Sequence, residues 1–459
     1  MSIKYSFQQI ISVTFAILFL LTIVFVVLIS FQGQRIRHVS IDPTVVTQER
    51  NQKIVLSLGQ PIQSISEEQI TITPTAGFSV LTNGESIVIQ LKERLQYATN
   101  YSIKISGLRN VSGGISKNIL SYDFTTTGSS LTYLKRNYGP KESAMYYSSE
   151  KLNDEIYLSD MNDSKDTVIF SSPKIQEYCR TKSNILIATL LEDGTNSLKI
   201  VDLLNKKTQD VKLPEQSGKV TSLHCTPSRD SFGYLFTSSE SEKYKFTLFV
   251  ANTSEISQSK TIKGIDGNPI KPGEWNFAPD GTSIIVNDFS AGSTLIDGMG
   301  MQKSVPLGEI YTLRNFTYDG RGIIATSLAD GLFVLDIPTL KKTTITSPDM
   351  GDASATATAL SNKEGWIKRV EETGSDTLLL QTPNQKKTVY KSSRDYSFIT
   401  NYGTSPNDQY LFVTYVDSDT YTYDDYEERP LPKDLATNIV DLKTMKVIKK
   451  IEGLDINWK

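Results

Sequence analysis

The residues with the clearest chemical potential lie in one short segment where carboxylates alternate with tyrosines. The segment contains Asp417, Asp419, Tyr421, Tyr423, Asp424, Asp425, Tyr426, Glu427 and Glu428. Clustered carboxylates can hold Ca²⁺, which takes several oxygen ligands, but the glycine-turned Asp-x-Asp-x-Asp-Gly loop is absent. We interpret the segment as a surface loop. If it is functional, it is a partner-contact loop, because tyrosines supply rigid amphipathic anchors.

The two cysteines have two possible roles. Cys179 and Cys225 lie 46 residues apart, which is one interval of the repeat described below. In an oxidising compartment they could form a disulfide. Alternatively, Cys225 fills the apolar position that Phe277 and Phe316 hold elsewhere, since a free cysteine packs as a small hydrophobe. Both interpretations stay open, because neighbouring repeats need not bring the two Cα atoms within bridging distance.

Few other residues suit catalytic or metal chemistry. His224 adjoins Cys225, but adjacent strand residues point to opposite faces and cannot form a Cys–His nucleophile. Residues 160–166 look like a cation loop, yet they align with the ordinary hairpin at residues 202–207, so a turn explains them better. The sequence has no Gly-x-Ser-x-Gly, His-Glu-x-x-His, P-loop, Gly-x-Gly-x-x-Gly or Cys-x-x-Cys motif. It predicts no enzyme, metal or cofactor, and the net charge of -3 argues against nucleic acid as a partner.

A repeated hairpin must position these residues. An apolar strand ends in Asp or another polar or small residue, and a tight turn and a Lys- or Thr-rich strand follow. The strand recurs at residues 157–160, 199–202, 248–251, 294–297, 333–336, 378–381 and 438–441. A period of about 40 to 45 residues with four short strands is typical of propeller blades. Seven hairpins predict seven blades between residues 129 and 459, although six or eight also fit.

A second repeated element, a polar corner before an apolar strand, separates these hairpins. Its copies begin at Cys225, Phe277, Phe316 and Thr404, and the clearest reads Phe-Ala-Pro-Asp-Gly. This corner resembles that of TolB-like and WD-repeat-like propellers, whose blades carry a Ser-Pro-Asp-Gly-type turn. From its position alone, the terminal segment 454–458 is expected to pair beside the first blade, near residues 131–134.

Residues 51–128 read as short alternating strands with a hairpin signal at Asn83-Gly84, which predicts a β-sandwich. The Leu-x-x-x-Thr-x-Tyr block at residues 95–101 and the closing Phe-Thr-Thr at residues 124–126 resemble the bacterial Ig-like domain of the SbsA type. Members of that family usually carry an Asp-x-x-Gly turn, where this chain begins with Asn110. The resemblance implies a spacer module without chemistry of its own.

The apolar run at residues 10–31 would span roughly 33 Å as a helix, enough to cross a bilayer core. We interpret it as an uncleaved signal anchor rather than a cleaved signal, because no small-x-small cleavage site follows. Residues 1–9 would form a cytoplasmic tail and residues 32–50 a juxtamembrane spacer. The β-rich remainder would lie outside the cytoplasm, at the bacterial cell surface or in the periplasm.

The expected fold is mainly β: a transmembrane helix, an Ig-like sandwich and a propeller. The expected function is a membrane-tethered binding or scaffolding protein that presents one propeller face to a protein, a peptide or a cell-envelope ligand. One alternative is a propeller-channel enzyme, such as a glycosidase or a lyase, that uses paired carboxylates. Another alternative is a structural component of the cell envelope.

Overall fold

The computed structural model divides the chain into two compact units. One comprises Met1–Val46, Arg50–Leu95 and Thr99–Thr126, and the other comprises Thr47–Glu49, Gln96–Ala98 and Thr127–Lys459. The structure describes all residues except 1–6, 32–33, 112–117, 138–151, 162–164, 227–228, 265–266, 280, 282, 289–291, 298–302, 309–311, 328, 347–355, 373–374, 393–397, 417–422, 424–425, 427–428, 430, 434 and 459.

The first element is helix α1 (Phe7–Phe31), which contains the whole of the predicted anchor at residues 10–31. The side chains described in it, Phe7 and residues 11–24, are exposed. Over the residues whose side chains the structure describes, no helix has both the length and the apolar content that a membrane crossing requires. The transmembrane anchor stays a prediction.

The first unit contains two antiparallel sheets around one core. Its elements after α1 are β1 (Ile36–Ser40), the first half of α2 (Val45–Gln48), β2 (Lys53–Leu58), a 3₁₀ turn (Glu67–Gln69), β3 (Ile70–Thr73), β4 (Phe78–Asn83), β5 (Ser86–Leu91), β6 (Asn100–Ile105) and β7 (Leu120–Thr125). The sheets have the orders β1-β2-β5-β4 and β3-β6-β7. Alternate residues of both sheets, such as Ile54, Ile89 and Ile103, share one buried cluster. This arrangement is a β-sandwich, and Gly84 adopts the positive φ of 57° that the predicted hairpin turn requires.

The prediction of a spacer at residues 32–50 is wrong for β1. Ile36 pairs with Leu58 and Val39 with Leu56, so this stretch is an edge strand of the sandwich. Ile36 and Val39 also pack against the core, and this burial is the physical reason that the stretch is folded.

The second unit contains, in its described residues, seven four-stranded antiparallel sheets. Sheet 1 is formed by β8 (Ser130–Lys135), β9 (Asp154–Asp160), β10 (Thr167–Ser172) and the last strand, β35 (Leu454–Trp458). Sheet 2 is β11 (Ile175–Arg180), β12 (Asn184–Leu190), β13 (Asn196–Asp202) and β14 (Thr208–Asp210); sheet 3 is β15 (Gly218–Cys225), β16 (Ser231–Ser238), β17 (Thr247–Asn252) and β18 (Lys260–Thr261). Sheet 4 is β19 (Glu274–Phe277), β20 (Ile284–Asp288), β21 (Gly292–Asp297) and β22 (Lys303–Gly308); sheet 5 is β23 (Thr312–Phe316), β24 (Gly322–Ser327), β25 (Gly331–Asp336) and β26 (Lys341–Thr346). Sheet 6 is β27 (Ala357–Ala359), β28 (Trp366–Glu372), β29 (Ser375–Thr382) and β30 (Gln385–Lys391); sheet 7 is β31 (Ile399–Thr404), β32 (Tyr410–Val416), β33 (Leu435–Asp441) and β34 (Lys446–Ile451).

The sheets succeed one another as expected for a β-propeller. Sheets 2 to 7 are simple meanders. Strand β11 packs against β15, β15 against β19, β19 against β23 and β23 against β27. We call β11, β15, β19, β23, β27, β31 and β35 the first strands of their sheets. Each sheet buries its faces against its neighbours, because a single four-stranded sheet cannot cover both faces alone.

The repeated hairpin that the sequence shows has a clear physical cause. The carboxylates of Asp202, Asp336 and Asp441 each accept hydrogen bonds from the turn that follows their strand. The residues directly after them, Leu203, Ile337 and Leu442, pack against buried clusters. The aspartate therefore fixes the turn while the next residue anchors it in the core.

The C-terminal strand closes the array. Strand β35 pairs with β8, with Leu454 opposite Leu134 and Trp458 opposite Leu131, which confirms the expected pairing of the terminal segment. We call the junction between sheet 7 and sheet 1 the closing seam. At this seam the Lys449 Nζ lies 2.9 Å from Asp166 Oδ1, and Tyr133 donates its hydroxyl proton to the other Asp166 oxygen.

We expect Trp458→Ala to destabilise the whole second unit. Trp458 is buried, and its ring stacks on Tyr410 with centroids 5.8 Å apart. Loss of a buried tryptophan side chain should lower the free energy of unfolding by about 3–5 kcal/mol. Denaturant titration of the full chain in detergent measures this change, and deletion of residues 452–459 should lower the melting temperature further.

The matched control is Leu204→Ala, since this leucine is 94% exposed at a hairpin tip. It should unfold like the wild type. Equal stability of Trp458→Ala and the wild type would contradict a closure that depends on β35.

Candidate functional site at the closing seam

β-Bulges occur in five of the first strands of the second unit, and the outer strand pairs of five sheets shift register as well. The pairing register shifts by one residue in β11, β15, β23, β31 and β35. Two of the residues involved, Ser222 and Asp455, have positive φ values of 50° and 55°. A bulge re-aims side chains and is common beside functional sites, so the side chains around the bulges of the first strands are candidates for a site.

Side chains at the start of the third strand of three sheets hold the next first strand in place. Asp154 accepts the amide proton of Ile175 at 2.9 Å, Asn196 that of Val220 at 2.8 Å, and Asp376 that of Ile399 at 2.6 Å. The donors lie 21 to 24 residues further along the chain. The sequence analysis missed these three residues, and this recurrent interval before an apolar strand is the signal that would have found them.

Glu177 and Asp455 lie close together at the start of adjacent first strands. Asp455 holds Arg429 through two hydrogen bonds of 2.7 and 2.8 Å, and Tyr178 donates its hydroxyl proton to the Asp455 carbonyl oxygen. Glu177 accepts the amide proton of Leu223 at 2.8 Å. Burial raises the pKa of Glu177, and the negative charge of Asp455 adds to this effect while Arg429 opposes it.

Glu177 and Asp455 are a pair of neighbouring carboxylates, which is what the alternative of a propeller-channel enzyme requires. Arg429 engages both oxygens of Asp455, and Glu177 is committed to a backbone amide of the next sheet. The two residues lie on neighbouring strands of the closed array. Their contacts connect the C-terminal strand to sheets 2 and 3, and this connection is the role that the geometry shows.

The tyrosines of the acidic segment occupy two different environments. Tyr423 is 56% exposed, whereas Tyr426 is buried and donates its hydroxyl proton to Asp154. The Arg136 guanidinium lies 3.8 Å from the centre of the Tyr426 ring, a cation–π contact. Tyr426 is therefore not an exposed contact residue, because its ring is needed to cover the buried Asp154 carboxylate, whose pKa is raised by burial. Asp417, Asp419, Tyr421, Asp424, Asp425, Glu427 and Glu428 lie outside the described residues.

The two longest connections between second and third strands belong to sheets 1 and 7, and their described ends lie at this seam. Residues 136–153 join β8 to β9 and residues 417–434 join β32 to β33, 18 residues in each case. The equivalent connections in sheets 2 to 6 have two to eight residues. Arg136 bonds the Arg429 carbonyl oxygen at 3.3 Å, so the described ends of the two long connections are in direct contact.

A disulfide joins the first strands of sheets 2 and 3. Cys179 and Cys225 are bonded, with their Cα atoms 5.5 Å apart. Cys225, the residue next to His224, has its sulfur bonded to Cys179, so the His224 imidazole cannot activate it as a thiol. His224 is instead packed edge-on against Trp275 at 4.9 Å, and burial lowers its pKa to about 4, so it is neutral at pH 7.

Metal and cation sites were also considered in the described residues. No group of three or more His, Cys, Asp or Glu side chains in them could hold a metal ion. Of the suspected cation loop at residues 160–166, residues 162–164 lie outside the description. Asp166 pairs with Lys449. Burial by itself would raise the pKa of Asp166, but the contact with Lys449 and the hydrogen bonds from Tyr133 and Ser159 outweigh burial and lower that pKa below its ordinary value.

No family model and no curated protein matches this chain. Among solved structures, TolB from Acinetobacter baumannii is 12% identical over 71% of this chain and 81% of its own, with a TM-score of 0.40. Dihydro-heme d1 dehydrogenase NirN, solved in complex with DHE, is 12% identical over 93% of this chain and 79% of its own, with a TM-score of 0.41. An auxiliary nutrient binding protein from Bacteroides thetaiotaomicron is 11% identical over 78% and 86%, with a TM-score of 0.30. Likenesses at this level assign neither an activity nor a ligand to the chain.

We expect Glu177→Gln to raise stability at neutral pH. Because burial raises the pKa of Glu177, the folded protein keeps a proton that the unfolded chain releases above about pH 4.3. Stability therefore falls as the pH rises from that value through the folded pKa. Glutamine removes this loss and keeps an oxygen for the Leu223 amide. Thermal unfolding between about pH 4 and pH 8 should give a flatter profile for the variant.

Glu452→Gln provides the control, since this side chain is 81% exposed and pairs with Lys135 at 3.3 Å. Its pH profile should follow the wild type. If the stability of Glu177→Gln fell with rising pH as steeply as that of the wild type, Glu177 would not be the cause of the pH dependence.

Proposed function

We propose that the protein is a membrane-tethered, extracytoplasmic binding or scaffolding protein. The observation that carries this proposal is the contact between the described ends of the two 18-residue connections at one seam of the second unit. Long connections on a rigid array of sheets are the usual place for recognition. The acidic residues of the segment 417–428, together with Tyr421 and Tyr423, contact the partner, which is a protein, a peptide or a cell-envelope ligand.

The contacts at the seam give these connections a fixed base. Tyr426 and Arg136 stack at 3.8 Å, and Arg429 is held by Asp455 of the closing strand. Leu431 and Leu435 pack against the buried cluster that contains Leu134 and Ile175. A segment anchored in this way loses less conformational freedom on binding than a free loop of the same length.

The charge of the segment indicates the chemistry of the partner. Six carboxylates lie between Asp417 and Glu428 in the sequence. They favour a partner with basic side chains or amines, and tyrosine adds large contact area at low entropic cost. Tyr423, which is 56% exposed, is the described tyrosine that is placed to make such a contact.

The rest of the proposal concerns organisation and location. Residues 1–9 are a cytoplasmic tail, residues 10–31 a signal anchor, the sandwich an Ig-like spacer of the SbsA type, and residues 129–459 a seven-bladed propeller. The bond between Cys179 and Cys225 supports an extracytoplasmic site, since structural disulfides persist in oxidising compartments. Protease treatment of intact cells should remove the second unit; protection from the protease would contradict this orientation.

The partner-contact role is tested with Asp424→Asn, Asp425→Asn, Glu427→Gln and Glu428→Gln combined in the full chain. Affinity capture of partners from membranes should fall at least about ten-fold, because the charge complementarity is lost. Capture by the wild type should also weaken when the salt concentration rises from about 0.1 M to about 0.5 M.

The matched control removes four exposed carboxylates elsewhere in the second unit, through Glu240→Gln, Glu242→Gln, Glu255→Gln and Glu364→Gln. It has the same net charge as the test variant and should capture partners like the wild type. No specific partner from the wild type, or equal loss in both variants, would refute the proposed role of the segment.

A further inference from the structure

The first unit contains an open cleft of about 670 Å³ that the function proposed above does not use. Among the described residues, it is lined by residues 34–36 on one side and residues 118–121 on the other. The first group leads into β1 and the second into β7, which are edge strands of the two different sheets. The cleft therefore lies where both sheets of the sandwich have an open edge, and its volume suits a small ligand.

Gln34 is the unusual residue of this cleft. Its side chain is only 5% exposed, yet neither its Oε1 nor its Nε2 makes a hydrogen bond. A buried amide without partners is destabilising, and nearly all buried polar groups in folded proteins are satisfied. One donor group and one acceptor of Gln34 are thus left for a ligand.

The neighbours of Gln34 define the rest of the ligand. The Arg35 side chain is exposed, and its backbone is fixed by the Gly59 amide, which bonds the Arg35 carbonyl oxygen at 3.0 Å. Ile119, on the facing wall, is 63% exposed. The cleft thus offers the Arg35 guanidinium, which prefers phosphate or carboxylate, next to the Gln34 amide, which can both donate and accept hydrogen bonds, and the apolar side chain of Ile119.

The place of the cleft in the chain points to the source of this ligand. Gln34 follows the last residue of α1, Phe31, by three positions. Three residues span at most about 11 Å, so the cleft must lie near the end of α1. If α1 is the membrane anchor, the cleft is at the level of the lipid headgroups.

We propose that this cleft binds the headgroup of an anionic phospholipid that carries a hydroxyl, such as a phosphoglycerol group. The phosphate accepts hydrogen bonds from the Gln34 amide and the Arg35 guanidinium, and the headgroup hydroxyl donates to Gln34 Oε1. Ile119 packs against the glycerol backbone. This inference rests on the membrane tether of the proposed function, and it adds a lipid contact that orients the sandwich on the bilayer.

Native mass spectrometry of the purified full chain in detergent tests the inference, with phosphatidylglycerol or phosphatidylcholine added. The wild type should bind phosphatidylglycerol at least about ten-fold more tightly than phosphatidylcholine. Gln34→Leu and Arg35→Gln should each weaken phosphatidylglycerol binding about ten-fold, because each removes a partner of the phosphate. Gln34→Leu should fold at least as stably as the wild type, since it removes the unpaired buried amide.

Arg37→Gln is the matched control: Arg37 is exposed in β1, two residues after Arg35, but does not line the cleft, so its loss changes only the charge. It should bind lipid like the wild type. Equal binding by all variants, or no preference between the two lipids, would overturn the inference. Binding of soluble glycerol phosphate as tight as that of the lipid would overturn the membrane source of the ligand.

The outcome separates this inference from the proposed function. Gln34→Leu should still capture the partner of the acidic segment, so loss of lipid binding alone leaves that role intact. If cell fractionation found the chain outside the membrane, the tether would fail, while the glycerol phosphate titration would still report on the cleft itself.

Discussion

The pairing of β35 with β8 is the interaction on which the second unit depends. It places the last strand of the chain beside β8, the strand with which the second unit begins. The backbone groups of β35 and β8 therefore bond each other instead of forming two unpaired strand edges. The same pairing brings Asp455 next to Glu177 and gives Arg429 its partner. The polar cluster at the seam therefore exists only because the two ends of the unit meet.

Two kinds of side-chain contact surround the pairing of β35 with β8: apolar packing and ion pairs. Trp458 and Ile456 bury apolar surface, which supplies stability. Lys449 with Asp166, and Arg429 with Asp455, are partly buried ion pairs, and the cost of desolvating them offsets much of their attraction. We interpret the ion pairs as fixing the register of the seam. That role suits a site where the described ends of two long connections are in contact.

The cysteines show how one position can serve two roles. Cys225 ends the first strand of its sheet, as Phe277 and Phe316 do, so the apolar interpretation of that position agrees with the fold. It is also bonded to Cys179, because the first strands of sheets 2 and 3 pack side by side and bring the Cα atoms to 5.5 Å. The spacing of 46 residues left both alternatives open, and only the distance between the two strands decided between them.

The sequence by itself determined the regular parts of this protein, since strand periodicity and turn chemistry are local properties. The alternating strands of residues 51–128 and the hairpins that end in Asp202, Asp336 and Asp441 were predicted from these local properties. The pairing of the terminal segment was expected only from its position in the chain, and the tertiary structure supplied its register. The tertiary structure decided everything that joins distant residues: the burial of Tyr426 against Asp154, the contacts of Arg429, the bulges of the first strands and the unpaired amide of Gln34. These features arise from the packing of one sheet or strand against another, and no local pattern of residue types records which neighbour a side chain will meet.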